Sequence, residues 1–427
     1  MPAFLPIVAL FALLSLSVPV ALVMTASGIA GLYGIGGWNF VGSILETSPF
    51  STSGSYDFLS LPMFLLMAEF VLLSGVANDL FAAAAAWTGR IRGGLGMATT
   101  LAGAGFGAVC GTSTASAATL SATTLPGMIQ HGYRKDVASG IVAVSGTLAM
   151  LIPPSVALVI YGVIAEVSIG KLLIAGILPA LFIVIVICVT IYIIALLDPE
   201  AAPVSEGTTF REKIRLLKVT APVLLLFGFV TGSIYVGLAT PTEASAIGAL
   251  AAMLLALAMR KLTLAGLYSA LLRACFSTSM IMFILIGATV FGYFFTLTQL
   301  TQSVVAWVSG LDMPAWAIIC IVMGIYVILG CFMDQTAILI LTVPVALPVI
   351  VALGYDPIWF GVVVVVAAEI GMITPPVGLN AFIVSRASGI PLQTVFKGVV
   401  PHVIAHLIAL LVLILLPQIS LWLPSHM

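Results

Sequence analysis

Long apolar runs, separated by short polar segments, recur along most of the chain. A helix that crosses the hydrocarbon core of a membrane needs about 20 apolar residues, and several runs reach that length. The runs that predict spanning helices are residues 4–33, 58–78, 137–163, 173–197, 219–238, 241–259, 276–298, 357–384 and 398–424. The pattern therefore predicts an all-α polytopic membrane protein.

Composition supports this prediction and removes other classes of protein. Hydrophobic residues make up 62% of the chain and charged residues 7%, with a mean hydropathy of +1.28. Too few polar residues remain to cover a water-soluble surface, so we expect a lipid bilayer around the chain. The net charge of -1 lacks the basic excess that nucleic-acid binding requires, so no nucleic-acid partner is expected.

Two stretches do not fit as single crossings. Basic residues, Arg92 and Arg134, bound the first stretch at both ends, and loop bases mark the cytoplasmic side. We therefore predict a re-entrant helical hairpin that enters and leaves on that side and turns near residues 111–113. A second hairpin is predicted over 313–352, with its turn near 330–334. Non-helical backbone at membrane depth is tolerated where it lines a protein cavity, so two hairpins predict a central polar site.

The chain also contains an internal repeat. Residues 125–179 align without a gap on residues 347–401, and most of the identical pairs are Pro and Gly. The loop that carries the bases Arg134 and Lys135 in the first copy carries the acid Asp356 in the second. Since loop bases mark the cytoplasm, this reversal predicts an inverted repeat, a common construction of secondary transporters.

The repeat and the loop charges suggest a division of the chain. The predicted segments are N-terminal scaffold helices (1–92), the first repeat with hairpin, broken helix and following helix (93–197), a cytoplasmic amphipathic linker (198–218), second scaffold helices with an arm (219–312) and the second repeat (313–427). The linker either lies on the cytoplasmic leaflet or is a solvated connector. Residues 262–275, with Arg273, form a similar candidate for an interfacial arm.

A Pro-Pro pair interrupts one predicted helix in each repeat. Proline has no N–H, so Pro153 and Pro154 leave the carbonyls of Ala149 and Met150 without helical donors. Residues before proline avoid the helical conformation, which predicts that the helix unwinds near Ile152.

The second pair, Pro375 and Pro376, frees the carbonyls of Gly371 and Met372 in the same way. An unpaired carbonyl is unfavourable in hydrocarbon, and a dehydrated alkali cation, which prefers oxygen ligands, would satisfy it. A single proline kink is usually structural. Two kinks at equivalent places in a repeat, each beside a polar hairpin turn, predict a pair of cation sites.

Polar residues concentrate at the two predicted hairpin turns. Residues 111–116 of the first turn are small or carry hydroxyls, which suits either ligand coordination or close helix packing. The second turn carries Asp334, Gln335 and Thr336, and a carboxylate at membrane depth is a functional candidate.

Further polar residues lie within apolar runs. Glu369 is near the second break and is a candidate for the site, whereas for Glu69 we favour a structural hydrogen bond over ion binding. His402 and His406 lie one helical turn apart, which fits either a metal pair or, without a third ligand, interfacial packing.

No catalytic constellation is found in the sequence. It contains no zinc-enzyme motif, no Ser/His/Asp set in a polar context and no phosphate-binding loop. We therefore expect no enzyme activity and no cofactor. Without a nucleotide site, any uphill transport must use an ion gradient.

Three motifs resemble those of a known family. They are GTLAMLIPPS at 146–155, ATPTEA at 239–244 and GMITPPVG at 371–378. These motifs and their spacing look like the large membrane subunit of tripartite ATP-independent periplasmic (TRAP) transporters, and the resemblance runs nearly end to end. The chain departs from the family pattern at Cys110, where serine is usual, and at Ala149, where glycine is usual.

The resemblance implies an elevator-type transporter of the bacterial inner membrane, coupled to sodium ions. In such systems a periplasmic substrate-binding protein delivers an organic acid, commonly a C4-dicarboxylate, a sugar acid or a sialic acid. A small four-helix membrane subunit accompanies the large one. No four-helix segment precedes the first motif, so we expect that subunit to be a separate chain.

The resemblance also assigns candidate site residues by motif. The first sodium site would use Thr112, Ser113, Ala149, Ile152 and Pro154. The second sodium site would use Gly330, Asp334, Gly371, Thr374 and Pro376. Substrate would be bound between the turns by Ser113, Thr114, Ser116, Ser155, Thr336 and Asn380, with help from helix N-terminal dipoles. No arginine is evidently placed for a substrate carboxylate, since Arg386 lies too near the cytoplasmic end.

Two other interpretations remain open. A stand-alone sodium/organic-anion symporter with similar hairpins would work without a binding protein or a small subunit. A channel or a membrane-embedded enzyme is the alternative from another class, and a channel predicts ion-independent flux without saturation.

Overall fold

The computed structural model describes residues 4–16, 18–204 and 208–427, and helices account for its regular structure, with no strand in those ranges. The helices of the first half are α1 (Phe4–Ser15), α2 (Val20–Ser53), α3 (Ser60–Ser74), α4 (Val76–Thr88), α5 (Gly94–Cys110), α6 (Ser113–Thr123), α7 (Leu125–Gln130), α8 (Lys135–Thr147), α9 (Val156–Ile164), α10 (Ile169–Ala175) and α11 (Ile177–Leu197). Those of the second half are α12 (Phe210–Tyr235), α13 (Pro241–Ala258), α14 (Leu264–Leu297), α15 (Leu300–Ser309), α16 (Ala315–Gly330), α17 (Gln335–Ala352), α18 (Pro357–Ile373), α19 (Leu379–Ser388), α20 (Leu392–Leu415) and α21 (Gln418–Leu421).

Within the described ranges, seven helices are long and apolar enough to cross a membrane, or eight if the bent pair α3–α4 counts as one span. The prediction of an all-α polytopic membrane protein is therefore confirmed. The predicted spans 137–163 and 357–384 are each divided at their Pro-Pro pair, as α8 and α9 and as α18 and α19.

The predicted bounds of two spanning helices at the start of the chain were wrong. The predicted helix 4–33 is interrupted after Ser15, and the helix that follows continues to Ser53 with non-helical backbone at Gly37. The predicted helix 58–78 ends at Gly75, whose φ of 75° is in the left-handed region that glycine tolerates. The next helix, α4, leaves at an angle of 69° to α3.

The predicted linker is shorter than expected, and the predicted arm is not a separate element. Helix α12 begins at Phe210, so the basic residues after that position form the first turns of a candidate spanning helix. Residues 198–202 pack on the first repeat, where the N–H of Arg134 donates to the carbonyl of Ala201 at 3.1 Å. Residues 205–207 of the linker lie outside the described ranges. The candidate arm 262–275 is continuous with the span 276–298, because α14 runs unbroken from Leu264 to Leu297.

The backbone repeats as the sequence does. Gly132 and Gly354, which are equivalent in the sequence repeat, have φ of 85° and 84°. The repeat also extends towards the N-terminus beyond the aligned residues. A left-handed residue, Gly75 or Gln299, separates two consecutive helices in each half, α3 from α4 and α14 from α15.

The hairpins α5–α6 and α16–α17 pack among the broken helices. Helix α5 contacts α8 and helix α16 contacts α18, so each hairpin touches the broken helix of its own repeat. Helix α6 also contacts α19, and α17 contacts α9, so each hairpin touches the other repeat as well. Helices α2, α3, α13 and α14 form a second group, in which α14 packs on α2 and on α3, and α13 packs on α3. The two repeats are thus interlocked through their hairpins.

Candidate functional site

The first hairpin turns where the sequence predicts. Helix α5 ends at Cys110, Gly111 takes a left-handed φ of 64°, and Thr112 is extended before α6 begins at Ser113. The N–H of Val156, the first residue after the break, donates to the carbonyl of Gly111 at 3.4 Å. The turn therefore lies directly against the first break.

The second hairpin turn is built on the same plan. Asp334 is the N-cap of α17, where its carboxylate accepts the N–H of Ala337 at 3.1 Å. The N–H of Gly378, the residue equivalent to Val156 in the repeat, donates to the carbonyl of Cys331 at 3.4 Å. Each turn thus receives a backbone hydrogen bond from the far side of the break in its own repeat.

Small residues allow each hairpin to touch its break. A Cβ added to Gly107 of α5 would lie 2.7 Å from Cα of Ala149. A Cβ added to Gly330 of α16 would lie 2.8 Å from Cα of Gly371. Real Cβ atoms do not approach that closely, so the two contacts require glycine at the hairpin positions. Ala149 and Gly371 are equivalent in the repeat, so the same backbone contact occurs twice.

Two of the carbonyls at the breaks, those of Met150 and Gly371, accept hydrogen bonds from the protein. The sequence argument left both without a donor and is corrected on this point. The Ser155 hydroxyl donates to the carbonyl of Met150 and also accepts the N–H of Leu158 at 3.1 Å as the N-cap of α9. The N–H of Thr374 donates to the carbonyl of Gly371 at 2.9 Å. A carbonyl oxygen has two lone pairs, so one accepted hydrogen bond leaves room for a cation.

The two turns meet at one cavity of about 340 Å³. Its polar wall includes Thr112 and Thr114 from the first turn and Asp334, Gln335 and Thr336 from the second. Met150 and Met372 contribute from the two breaks. The predicted site residues Thr112, Thr114, Asp334 and Thr336 are therefore brought together, although they come from distant parts of the chain.

Other predicted site residues lie behind this wall rather than on it. Ser113, Ser116, Ser155 and Asn380 are fully buried. The Ser113 hydroxyl faces the sulfur of Met372 at 3.8 Å, and the Ser116 hydroxyl and Asn380 amide have no hydrogen-bond partner in the described parts of the chain. The candidate cation ligands Ala149, Ile152, Pro154, Gly330, Gly371, Thr374 and Pro376 belong to the breaks and the hairpin ends and are not on the cavity wall. Of these, Thr374 lines a separate apolar crevice against α20.

The scaffold helices α3 and α14 close the cavity with residues that sequence reasoning did not assign to it. Ala274, Ser277, Met280 and Ile281 of α14 line it, as does Glu69 of α3. Glu69 accepts a hydrogen bond from Nε of Arg273 at 2.7 Å. The predicted hydrogen bond of Glu69 is confirmed, and its position on the cavity wall was missed. The partner could not be read from the sequence, since the two residues are 204 positions apart.

Glu369, His402 and His406 are buried away from the cavity. Neither Glu369 oxygen has a hydrogen-bond partner within the described residues. Nδ1 of His406 lies 2.8 Å from the carbonyl oxygen of His402. Over those same residues, no three His, Cys, Asp or Glu side chains are grouped so as to hold a metal ion. The packing interpretation of the histidine pair is therefore favoured over the metal pair.

A membrane protein in which two helical hairpins and two broken helices surround one polar cavity has the construction of a secondary transporter. The chain belongs to the family described as tripartite ATP-independent periplasmic transporter, DctM component, because the sequence model of that family matches residues 7–419. It is therefore a transporter permease subunit and not an enzyme, as expected from the sequence.

Curated relatives agree with this assignment, and a solved structure has a similar fold. The chain is 38% identical, over 88% of each chain, to the C4-dicarboxylate TRAP transporter large permease protein DctM of Pseudomonas aeruginosa. It is 32% identical, over 87% of each chain, to the sialic acid TRAP transporter large permease protein SiaM of Vibrio cholerae. Its fold is similar to that of the YdaH transporter of Alcanivorax borkumensis, with a TM-score of 0.63 and 15% identity over 88% of each chain.

Proposed function

We propose that this chain is the sodium-coupled translocation subunit of an importer for organic acid anions in the bacterial inner membrane. A periplasmic binding protein delivers the acid, which is of the C4-dicarboxylate, sugar-acid or sialic-acid type. A separate small four-helix membrane subunit completes the transporter. The organic acids named for the relatives DctM and SiaM support this class of substrate.

The observation that carries the proposal is the shared cavity at the two hairpin turns. Sodium ions prefer oxygen ligands, and each turn lies against a break in which helical carbonyls lose their usual donors. Two cation sites that flank one cavity place positive charge on both sides of a bound anion. Sodium binding would thereby favour substrate binding, which is the coupling that a symporter requires.

Within this proposal the sodium ligands are those assigned by motif. The first ion is held between the first turn and the carbonyls of Ala149, Ile152 and Pro154. The second is held by the turn that contains Gly330 and Asp334, together with Gly371, Thr374 and Pro376. The substrate is bound by the hydroxyls on the cavity wall, whereas the buried Ser116, Ser155 and Asn380 support the turns and helix ends from behind.

The two groups of helices suggest how the cavity changes sides. The hairpins and broken helices form one interlocked unit, and α2, α3, α13 and α14 form another. In an elevator mechanism the first unit carries the cavity across the membrane while the second stays fixed. The predicted inversion of the repeat supports this mechanism, because exchange of the conformations of two inverted halves produces the opposite-facing state.

The test is uptake of a radiolabelled organic acid into proteoliposomes that contain the chain, its small subunit and its binding protein. Uptake should require an inward sodium gradient and should stop when sodium is equal on both sides. Uptake without the binding protein and the small subunit would favour a stand-alone symporter instead. Flux that is independent of sodium and does not saturate would contradict the proposal and indicate a channel.

A further inference from the structure

The acidic residues on the cavity wall raise a question of charge balance. Glu69 and Asp334 both line the cavity, and no Lys, Arg or His does so within the described ranges. Asp334 is balanced by the N-terminus of α17, which it caps. The Glu69 carboxylate faces the same space from α3, and a bound organic anion would be repelled by it unless a cation lies close.

Arg273 supplies that positive charge, and only one nitrogen of its guanidinium, Nε, is hydrogen-bonded to Glu69. Its Nε donates to Glu69 at 2.7 Å, and no other hydrogen bond to its side chain is found in the described parts of the chain. The side chain of Arg273 is 51% exposed, against 16% for Glu69. A guanidinium bound through Nε still presents its two terminal NH₂ groups as a fork, which matches a second carboxylate.

The position of Arg273 on α14 places it beside the cavity, next to the wall residue Ala274. Residues three or four apart share one face of a helix, and Ser277, four residues after Arg273, lines the cavity. Met280, one further turn along, lines it as well. Arg273 therefore lies at the cavity rim, because it adjoins this wall and is paired with the wall residue Glu69.

We propose that Arg273 binds a carboxylate of the transported acid at the cavity rim, and that Glu69 positions Arg273 for this contact. This assignment rests on the proposed transport function and deepens it. It makes Arg273 a determinant of selectivity for acids with an accessible carboxylate. Helices α3 and α14 belong to the second group of helices and not to the unit of hairpins and broken helices. The contact between Arg273 and the substrate therefore forms only while the hairpin turns are level with Arg273.

The test measures half-saturating concentration and maximal rate separately. Succinate, N-acetylneuraminate and glucuronate are offered to the wild-type transporter, and the acid taken up best is used throughout. Charged hydrogen bonds contribute about 1.5–3 kcal/mol, so Arg273→Gln should raise the half-saturating concentration by roughly tenfold to a hundredfold. The maximal rate should change much less. Arg273→Lys, which keeps the charge but not the fork, should give a smaller rise.

Two further variants separate substrate binding from simple charge neutralisation. Lys261→Gln removes one positive charge from the α13–α14 loop and should leave both parameters unchanged. Glu69→Gln should raise the half-saturating concentration less than Arg273→Gln does. The double variant Glu69→Gln/Arg273→Gln should remain as impaired as Arg273→Gln. Recovery of wild-type uptake in the double variant would overturn the proposal, because Arg273 would then only neutralise Glu69. An unchanged half-saturating concentration in Arg273→Gln would overturn it too.

A thermal-unfolding measurement on the purified chain tests the role of Arg273 separately from sodium coupling. The same acid should raise the melting temperature of the wild type and not that of Arg273→Gln. If that difference is seen but uptake does not need sodium, the proposed coupling fails and the role of Arg273 stands. If none of the three acids stabilises the wild type or is taken up, both the transport proposal and the role of Arg273 are contradicted.

Discussion

Replacement of Gly330 by alanine tests whether the second hairpin must touch the second break. Gly330 ends α16, and a Cβ there would lie 2.5 Å from the carbonyl oxygen of Ala368 and 2.8 Å from Cα of Gly371. Both atoms belong to the backbone of α18 and cannot rotate away, so the hairpin and the break must separate. Gly371 belongs to the second proposed sodium site, and the separation therefore displaces a proposed ligand.

The expected magnitude follows from two opposing effects. Glycine to alanine within a helix normally stabilises by up to about 1 kcal/mol. An extra carbon forced into a packed interface costs about 1–3 kcal/mol, and rigid backbone on the other side favours the upper end. We expect a net loss of about 1–2 kcal/mol for Gly330→Ala. Gly324 lies on the same helix with no atom within 4 Å of a built Cβ, so Gly324→Ala is the matched control.

The assay is thermal unfolding of purified variants over a series of sodium chloride concentrations, with choline chloride used to hold the ionic strength constant. Gly330→Ala should melt below the wild type and should need more sodium for the same stabilisation, whereas Gly324→Ala should match or exceed the wild type. Equal behaviour of the two variants would refute the close-contact argument. A lower melting temperature with an unchanged sodium response would refute the displacement of a sodium ligand.

Three further variants test the turns, the break and the histidine pair. Asp334→Ala should lose the cap of α17, at a cost of about 1 kcal/mol, and should raise the sodium concentration for half-maximal uptake. Asp334→Asn keeps the cap, so only its sodium dependence should change, and unchanged dependence in both variants would remove Asp334 from the site. Ser155→Ala should destabilise by about 1–3 kcal/mol in thermal unfolding, because it removes a buried cap and leaves a break carbonyl unpaired. Ser168→Ala, which removes an exposed cap, should cost less. Equal costs would contradict the role of Ser155 at the break. The double variant His402→Leu/His406→Leu should retain uptake and thermal stability, and a loss of uptake that chelators reproduce in the wild type would restore the metal interpretation.

The local features of the fold could be predicted because their causes are local. Apolar runs set the helices, and the turns at 111–113 and 330–334 follow from short polar segments within such runs. Helix ends were less predictable, since the sequence around Arg273 has no strong break and α14 continues through it. The break at Gly75 was missed because an isolated glycine in an apolar run fits a continuous helix equally well.

The site was only partly predictable for a geometric reason. Side-chain direction changes from residue to residue at a turn, and by about 100° per residue within a helix, so neighbouring hydroxyls face different surroundings. Thr112 and Thr114 face the cavity, whereas Ser113 between them is fully buried against Met372. Their sequence context is the same, and the extended backbone at Thr112 together with the rotation of α6 against its neighbours makes the difference.

By itself the sequence determined the membrane class, the repeat, the two hairpin turns, the two Pro-Pro breaks and the family, because hydropathy, proline chemistry and loop charge act over a few residues. The tertiary structure alone decided which polar groups line the cavity and which support it from behind. It also decided the pairing of Glu69 with Arg273, which joins helices far apart in the chain. Such choices depend on how each helix is rotated and packed, and packing is a property of the whole fold.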